Sequence, residues 1–405
     1  MKFLPYEPKQ AWLLPPSVED VLGKDHVCFF IDRVVERLDL SAFSAGYREE
    51  GQRPYAPALM VKVWLYAYCL QMTGSRRLEQ RIREDLPLRY LAGGQVPDHW
   101  TLNDFRRRHG RALNDLFLQV VEVARDMGLG SLGHVAIDST RVQANASRRR
   151  TETEKELRQR LAATRRAIRR WQRQCNAANP DEAPGASVPG EYQQQLEEQV
   201  AATREKLRKL RKLGARQLSA TDPDSRFLRQ SGGGFVLGYT VDLAVSDDHL
   251  IVGQRTTQAV SDSASLRPMV ERVEATCGER PAMVSADSGF FSVENLRHLE
   301  RQGIDAYVPD AHLCGQWQQH RPPLKSTPKV AAHRRLRAKL RTPLGRARYQ
   351  RRQALVEPVF GVLKEQRGMR RLRLRGLSKA RTEVTWYCLA FNLTRMWRSR
   401  RQSQI

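Results

Sequence analysis

The chain has little cysteine and places none of it in pairs. Cys28, Cys69, Cys175, Cys277, Cys314 and Cys388 are scattered, with no CxxC spacing. That pattern excludes a disulfide framework and a zinc knuckle, and it fits a reducing cytoplasm. Long apolar runs are missing too. The most apolar stretch, ALMVKVWLYAYCLQM at residues 58–72, carries Lys62 and falls short of the roughly 20 residues that a bilayer span needs, so it reads as a buried helix. No charged-then-apolar leader opens the chain, because residues 1–16 mix Pro, Lys and Glu with apolar side chains. Acid is scarce relative to base: 44 Asp and Glu stand against 69 Lys and Arg, a net charge of +25. The excess is spread along the whole length and is mostly arginine, whose planar fork suits bidentate phosphate contacts. A polyanionic partner follows, with a merely basic protein as the alternative; no membrane partner is indicated.

A length of 405 residues points to two or three units, each able to bury a core. Over 17–127 apolar residues recur at helical spacing, as at Leu59, Val63, Tyr66 and Leu70, broken by Pro54, Pro57, Gly74, Gly93 and Pro97. An all-helical domain over 1–130 is expected. Within it, PDHWTLNDFRRRH at 97–109 reads as a turn, an N-cap at Asp98 or Thr101, and a helix loaded with Arg106, Arg107 and Arg108. Those arginines either lie against DNA or face solvent. At Gly133 the period shortens to a β-type run, HVAI, that ends in Asp138.

Residues 148–216 follow neither pattern. Leu157, Leu161, Thr164, Ile168, Trp171 and Cys175 keep alternating spacings of four and three, as do Leu196, Val200, Thr203, Leu207 and Leu210. Two coiled helices joined by the Pro-, Ala-, Gly- and Ser-rich stretch 179–190 form an antiparallel hairpin, either a spacer or a device for dimerisation or DNA clamping. Strand-like runs resume at 235–245 and 250–256 as a β-hairpin. A helix over 264–277, a strand over 282–286 ending at Asp287, a helix over 293–302 and a strand over 304–308 follow. Residues 309–344 read as an irregular linker and the remainder as helical. This order predicts an α/β fold, a mixed sheet with helices, over 131–147 and 217–405.

Two acids, Asp138 and Asp287, terminate apolar strand-like runs, where a carboxylate is costly unless a metal or hydrogen bonds compensate it. Either alone is equally a turn residue or helix N-cap. A third, Glu357 in ALVEPVFGVLK, reads as an acid at an apolar helix start, with Lys364 two turns on and on the same face. Three converging carboxylates can hold two Mg²⁺ ions, because hard cations prefer oxygen ligands and leave positions open for water and phosphate. From Arg334 to Arg352 there are nine cations and no acid, and Arg367, Arg370, Arg371, Arg373 and Arg375 continue the run. Arg348 and Arg352 belong to this stretch, which would deliver phosphates to the metals.

These residues resemble those of bacterial insertion-sequence transposases with a DDE catalytic domain of ribonuclease-H-like fold, a helical N-terminal domain and a coiled-coil insertion. The resemblance covers nearly the whole chain: SRRLEQRIREDLPLRYLAGGQVPDHWTLNDFRRRH, AIDSTRVQANAS, TDPDSR, GYTVDLAV, SADSGFFS and VEPVFGVLK. It implies that Asp138, Asp287 and Glu357 are the catalytic, metal-binding triad. The implied cofactor is Mg²⁺, with Mn²⁺ as substitute and two ions in the site. It also implies phosphodiester hydrolysis at terminal inverted repeats, then joining to target DNA, by a homodimer assembled on DNA and associated with the nucleoid. Lys364 matches the signature spacing after the Glu, whereas Tyr349 and Arg352 stand one residue further upstream than the common pattern. Ser139 replaces a frequent Gly, Asp242 a common Gln, and Cys314 with His312 is what remains of a cysteine-bearing loop. Two other readings stay open: a ribonuclease-H-like nuclease that cuts but never joins, and a decayed, DNA-binding regulator. The presence of all three acids argues against the second.

Overall fold

The computed structural model describes residues 17–45, 47, 53–177, 189–230, 233–319 and 328–402. The chain forms two compact units, Met1–Gly130 with Thr385–Ile405, and Ser131–Val384. The opening residues 1–16, read above as no leader, lie outside the described ones.

The first unit is helical throughout its described residues, as the 3.6-residue periodicity requires. Its centre is the helix Pro57–Cys69, opened by Pro57 at its first position and apolar on all sides but for Lys62, which pairs with Asp32 at 2.5 Å. Such a helix has no face to offer water, and Val63, Trp64, Leu65, Ala67 and Tyr68 are fully buried. The buried indole of Trp64 still needs an acceptor, and its Nε1 donates to the Leu102 carbonyl at 3.0 Å, in the helix His99–Arg108. The far end of the chain completes this core: Tyr68 stacks on Trp386 with ring centroids 6.0 Å apart and meets Tyr387 edge-on at 4.8 Å. Asp98 is the N-cap of the His99–Arg108 helix, accepting from the Trp100 and Thr101 amides at 2.8 and 3.0 Å.

The second unit is built on a six-stranded mixed sheet. Its strands and those of a small ribbon are β1 (Val135–Gln143), β2 (Thr151–Thr153), β3 (Gln217–Ser219), β4 (Arg226–Arg229), β5 (Phe235–Val245), β6 (Ile251–Thr257), β7 (Met283–Ala286) and β8 (Asp305–Tyr307). The order is β4-β5-β1-β7-β8, with β6 also paired to β5; β7 and β8 run parallel to β1, while β4 and β6 run antiparallel to β5, and β5 antiparallel to β1. The long helix Pro343–Gly361 lies across β1, β5, β7 and β8. This is the α/β, ribonuclease-H-like mixed sheet that the resemblance implies. The close passage of β5 over β1 depends on Gly238, where a Cβ would stand 1.9 Å from the Val142 carbonyl oxygen.

The heptad positions turn inward except Cys175, which is exposed. Helices Glu154–Ala177 and Pro189–Lys212 pack together over a cluster of Leu157, Leu207, Leu210 and Leu218. The antiparallel β2–β3 pair closes the base, and the Lys206 Nζ reaches Glu152 Oε2 at 2.8 Å. Thr164 and Thr203, buried at heptad positions, donate their hydroxyls to the carbonyls of Arg160 and Gln199 four residues back, so neither is an unsatisfied group. Most of the connection at 179–190 lies outside the described residues.

Three expectations need correction. β1 does not end at Asp138 but runs on to Gln143, because Ser139 to Gln143 continue the pairing with β5. The described part of residues 309–344 is not an irregular linker: Ala311–Gln319 and Ala331–Arg341 are helices, and residues 320–327 lie outside the described ones. Asp310 caps the first by accepting from the His312 and Leu313 amides at 2.9 and 3.0 Å, and buried Ala332, Leu336 and Leu340 give the second an apolar face amid its arginines. Finally, Glu357 lies in the last turns of the Pro343–Gly361 helix, not at a helix start. Among the described residues no helix is long and apolar enough to cross a membrane.

Candidate active site

The register of two parallel strands builds the site. Ile137 of β1 partners Ala286 of β7, so the next residues, Asp138 and Asp287, stand abreast where β7 stops and β1 continues. Asp287 caps a short 3-10 turn, its Oδ1 accepting from the Gly289 amide at 2.9 Å. Asp138 is largely buried; Oδ1 accepts from the Ser139 amide at 2.7 Å and Oδ2 from Arg352 Nη1 at 2.5 Å. Burial raises the Asp138 pKa to about 6; Arg352 opposes that rise and Asp287 adds to it. Asp287 is also shifted upward, by burial first and by Asp262, against the pull of Arg352. Both carboxylates therefore carry charge that their surroundings compensate only in part.

Arg352 is the compensating cation. It is 8% exposed, and its Nε has no hydrogen-bond partner among the described residues. Its charge is held against the cost of burial by Asp138, Tyr349 and Asp287. The Tyr349 ring lies 5.7 Å from the guanidinium, and the Tyr349 hydroxyl meets the Cys314 thiol, which also bonds Ser288.

Glu357 is not brought to this pair. It is exposed, and it makes no hydrogen bond or ion pair among the described residues. The helical phase explains why. Five residues separate it from Arg352, a rotation of roughly 140° on a 3.6-residue helix, so the one-residue upstream offset of Arg352 turns the glutamate away from the face that meets the aspartates. Pro358, inside this helix, supplies no amide, and past Gly361 the chain widens into a π turn, Val362–Gln366, in which the Arg367 amide donates to the Val362 carbonyl at 3.0 Å. That turn breaks the two-turn relation between Glu357 and Lys364 read from the sequence. Lys364 is half-buried, 6.0 Å from the Phe360 ring, and its pKa is lowered by burial and by Arg370, with Glu365 and Asp138 opposing. It senses the Asp138 charge.

The chemistry of Asp138 and Asp287 fits a divalent cation, since both are oxygen donors in surroundings that penalise their negative charge. A third donor is not in place: among the described residues, no three His, Cys, Asp or Glu side chains come together as a metal site. Two further acids stand near the centre; sequence reasoning missed Asp262 and noted Asp242 only as replacing a common Gln. Asp262 borders it, because a Cβ on Gly289 would stand 3.0 Å from Asp287 Oδ1 and 3.3 Å from Asp262 Oδ2, and Arg141 pairs with Asp262 at 2.8 Å. Nothing in its serine-rich turn marks it. Asp242 is fully buried and accepts from the Ser139 hydroxyl at 2.6 Å. Its signal was present, an acid inside the apolar run of β5.

Much of the basic stretch serves the fold. Six of the nine cations between Arg334 and Arg352 are in ion pairs: Arg335 with Glu300, Arg337 with Asp310, Lys339 and Arg348 with Asp305, Arg351 with Asp247, and Arg352 with Asp138. Arg348 also donates to the Tyr307 hydroxyl at 2.8 Å. Although burial opposes it, Arg337 and His333 hold Asp310 below the ordinary carboxylate range. The TDPDSR motif is likewise structural: Asp222 accepts from the Tyr239 hydroxyl and the Gly376 amide, and Asp224 from the Leu377 amide at 2.9 Å.

In the helical unit the three consecutive arginines separate. Arg106 is buried, donating to the Thr73 carbonyl and, at 2.8 Å, to Asn103 Oδ1, with its guanidinium 4.8 Å from the Trp64 ring. Arg107 and Arg108 are exposed and share Asp104 at 3.0 and 2.6 Å. Arg106→Ala should therefore cost about 2 kcal/mol of stability, the scale of a lost charged hydrogen bond, whereas Arg107→Ala should cost almost none. Urea unfolding of the two variants checks this, and equal midpoints would show that Arg106 does not support the core.

Residues 16–108 match the family described as Transposase domain (DUF772), and residues 198–393 match the Transposase DDE domain. No curated protein and no solved structure matches the chain. The DDE family is divalent-metal dependent and acts on DNA, in keeping with the aspartate pair and the basic composition. The first match takes in the helical unit as far as Arg108 and the second the strands from β3 to β8 with Asp287, while β1 with Asp138 lies between them, and with them the chain belongs to the insertion-sequence transposases with a DDE domain.

Proposed function

We propose that the protein cleaves DNA at the ends of an insertion sequence and joins those ends to target DNA, using Mg²⁺ held by Asp138 and Asp287, with Glu357 as the third ligand and Mn²⁺ as substitute. The observation that carries this reading is the strand register that sets the two aspartates abreast. Two ions bound there would supply an activated water or 3′-hydroxyl and stabilise the departing oxygen. The chain's own part is to hold and orient. Gly289 keeps space beside Asp287, Arg352 neutralises the pair until metal and DNA arrive, and Tyr349 and Arg348 stand earlier on the helix that carries Glu357. Residues 1–130 recognise the terminal inverted repeats through Arg107 and Arg108, which Arg106 positions from within. Residues 131–147 and 217–405, apart from the segment Thr385–Ile405 that belongs to the helical unit, form the catalytic domain, and the hairpin 148–216 is its insertion. A homodimer on DNA would bring two ends together. Incubating the purified protein with DNA carrying the element ends and Mg²⁺, then sequencing the products, tests this. Joined products support it, and cleaved but never joined ends would mean a nuclease.

The exposure of Glu357 favours a second reading, a regulator that binds the ends without cutting. End binding with no cleavage in either Mg²⁺ or Mn²⁺ would establish it.

Lys364 is proposed to hold a backbone phosphate near the metal site. Lys364→Ala is expected to weaken binding of pre-cut ends and to lower the slope of log affinity against log salt by about one, without altering metal dependence. A mutant that binds and joins like wild type across a salt titration would make the lysine a bystander.

A further inference from the structure

The reactions proposed above leave unused the largest exposed aromatic side chain among the described residues of the helical unit. Trp100 is 71% exposed, an unusual state for an indole that can bury so much apolar surface. Its place is fixed. The Trp100 amide donates to the Asp98 cap at 2.8 Å, and the His99 ring, itself 2.9 Å from Glu79, lies against the indole with centroids 5.4 Å apart. The ring borders a cavity of about 480 Å³ that Arg53, Asn103, Arg107 and Arg108 also line. A fixed aromatic face, a concave space of small-ligand size and three arginines at its wall form a set suited to a planar, hydrogen-bonding group attached to a phosphate chain.

We infer that this cavity receives a single unstacked DNA base on the face of Trp100, with Arg107 and Arg108 on its flanking phosphates. A base within an intact duplex exposes only its edge, so a cavity walled by an indole accepts a base only after it has left the stack. The two arginines share Asp104, which holds their guanidinium groups near the rim without using up all their donors. This assignment rests on the reading of residues 1–130 as the end-binding part of the protein.

The test uses the full chain and element-end duplexes, either fully paired or with one unpaired aminopurine placed in turn along the terminal sequence. At one position the aminopurine fluorescence should be quenched by wild type. Trp100→Ala should abolish that quenching and weaken binding of that duplex about tenfold, the scale of one aromatic–base stack, with an unchanged salt slope. Trp100→Phe should restore most of both. Arg107→Gln should instead lower the salt slope by about one while keeping the quenching. If wild type quenches no position, or Trp100→Ala binds every duplex as wild type does, the inference is overturned. A wild type that is dimeric in solution and becomes monomeric as Trp100→Ala would also overturn it, giving the indole to a second copy of the chain. Equal affinity of wild type for terminal and scrambled duplexes would defeat the end-binding reading separately, whatever Trp100 does.

Discussion

Asp138→Asn and Asp287→Asn are each expected to reduce cleavage at the element ends by about 10³-fold or more, the scale on which preorganised charge stabilisation acts, while DNA binding stays near wild type. The reason lies in the register: the two carboxylates are adjacent, largely buried and incompletely compensated, so each amide removes charge that a divalent ion would need, and neither touches the exposed arginines. Glu357→Gln should match them in cleavage yet differ in a second measurement. Titration of DNA-free protein with Mn²⁺, followed by electron paramagnetic resonance, should show lost binding for either Asp variant and unchanged binding for Glu357→Gln, because that glutamate stands exposed and apart from the pair. Substantial cleavage by an Asp variant would remove that residue from the site. Loss of Mn²⁺ by Glu357→Gln without DNA would mean that the glutamate already faces the pair.

Arg352→Met should produce the largest change in stability. Its guanidinium is the ion-pair partner of Asp138, and removing one partner of a buried ion pair typically costs about 3–5 kcal/mol because the other is left uncompensated. Methionine fills much of the volume, so the loss reports charge more than packing. Urea unfolding in metal-free buffer should show it. Millimolar Mn²⁺ should then restore much of the variant's stability and stabilise wild type less, since a cation that binds only the folded chain adds free energy by mass action and Arg352 already fills that role in wild type. Equal effects of Mn²⁺ on both proteins, or none on either, would show that the aspartates do not hold the ion there.

The residues that matter to the helical unit and to the hairpin of 148–216 were legible because helices advertise themselves locally. The apolar positions from Leu59 to Leu70, the cap at Asp98 and the heptads of 148–216 each depend on neighbours within a few turns, and the structure builds helices there. The two aspartates were legible for a related reason, since each ends an apolar run that β-pairing buries. Residues 309–344 were not, because a run dense in proline, histidine and arginine hides the Leu336–Leu340 face that makes a helix, and because Asp310 finds Arg337 only in the folded chain.

By itself, then, the sequence determined the kinds of element, the order of the sheet's strands along the chain, a strongly basic surface and the acids from which a metal site can be drawn, all properties set by composition and short-range period. Tertiary structure alone decided which of these side chains meet. It put Asp138 beside Asp287 through a parallel register between segments remote in sequence, and brought Asp242 and Asp262 near them. It drew the segment from Trp386 to Met396 into the core of the helical unit and buried Arg106 while leaving Arg107 and Arg108 outside. It also turned Glu357 outward through helical phase and changed its relation to Lys364 through the π turn, and no spacing rule written for a straight helix carries that information.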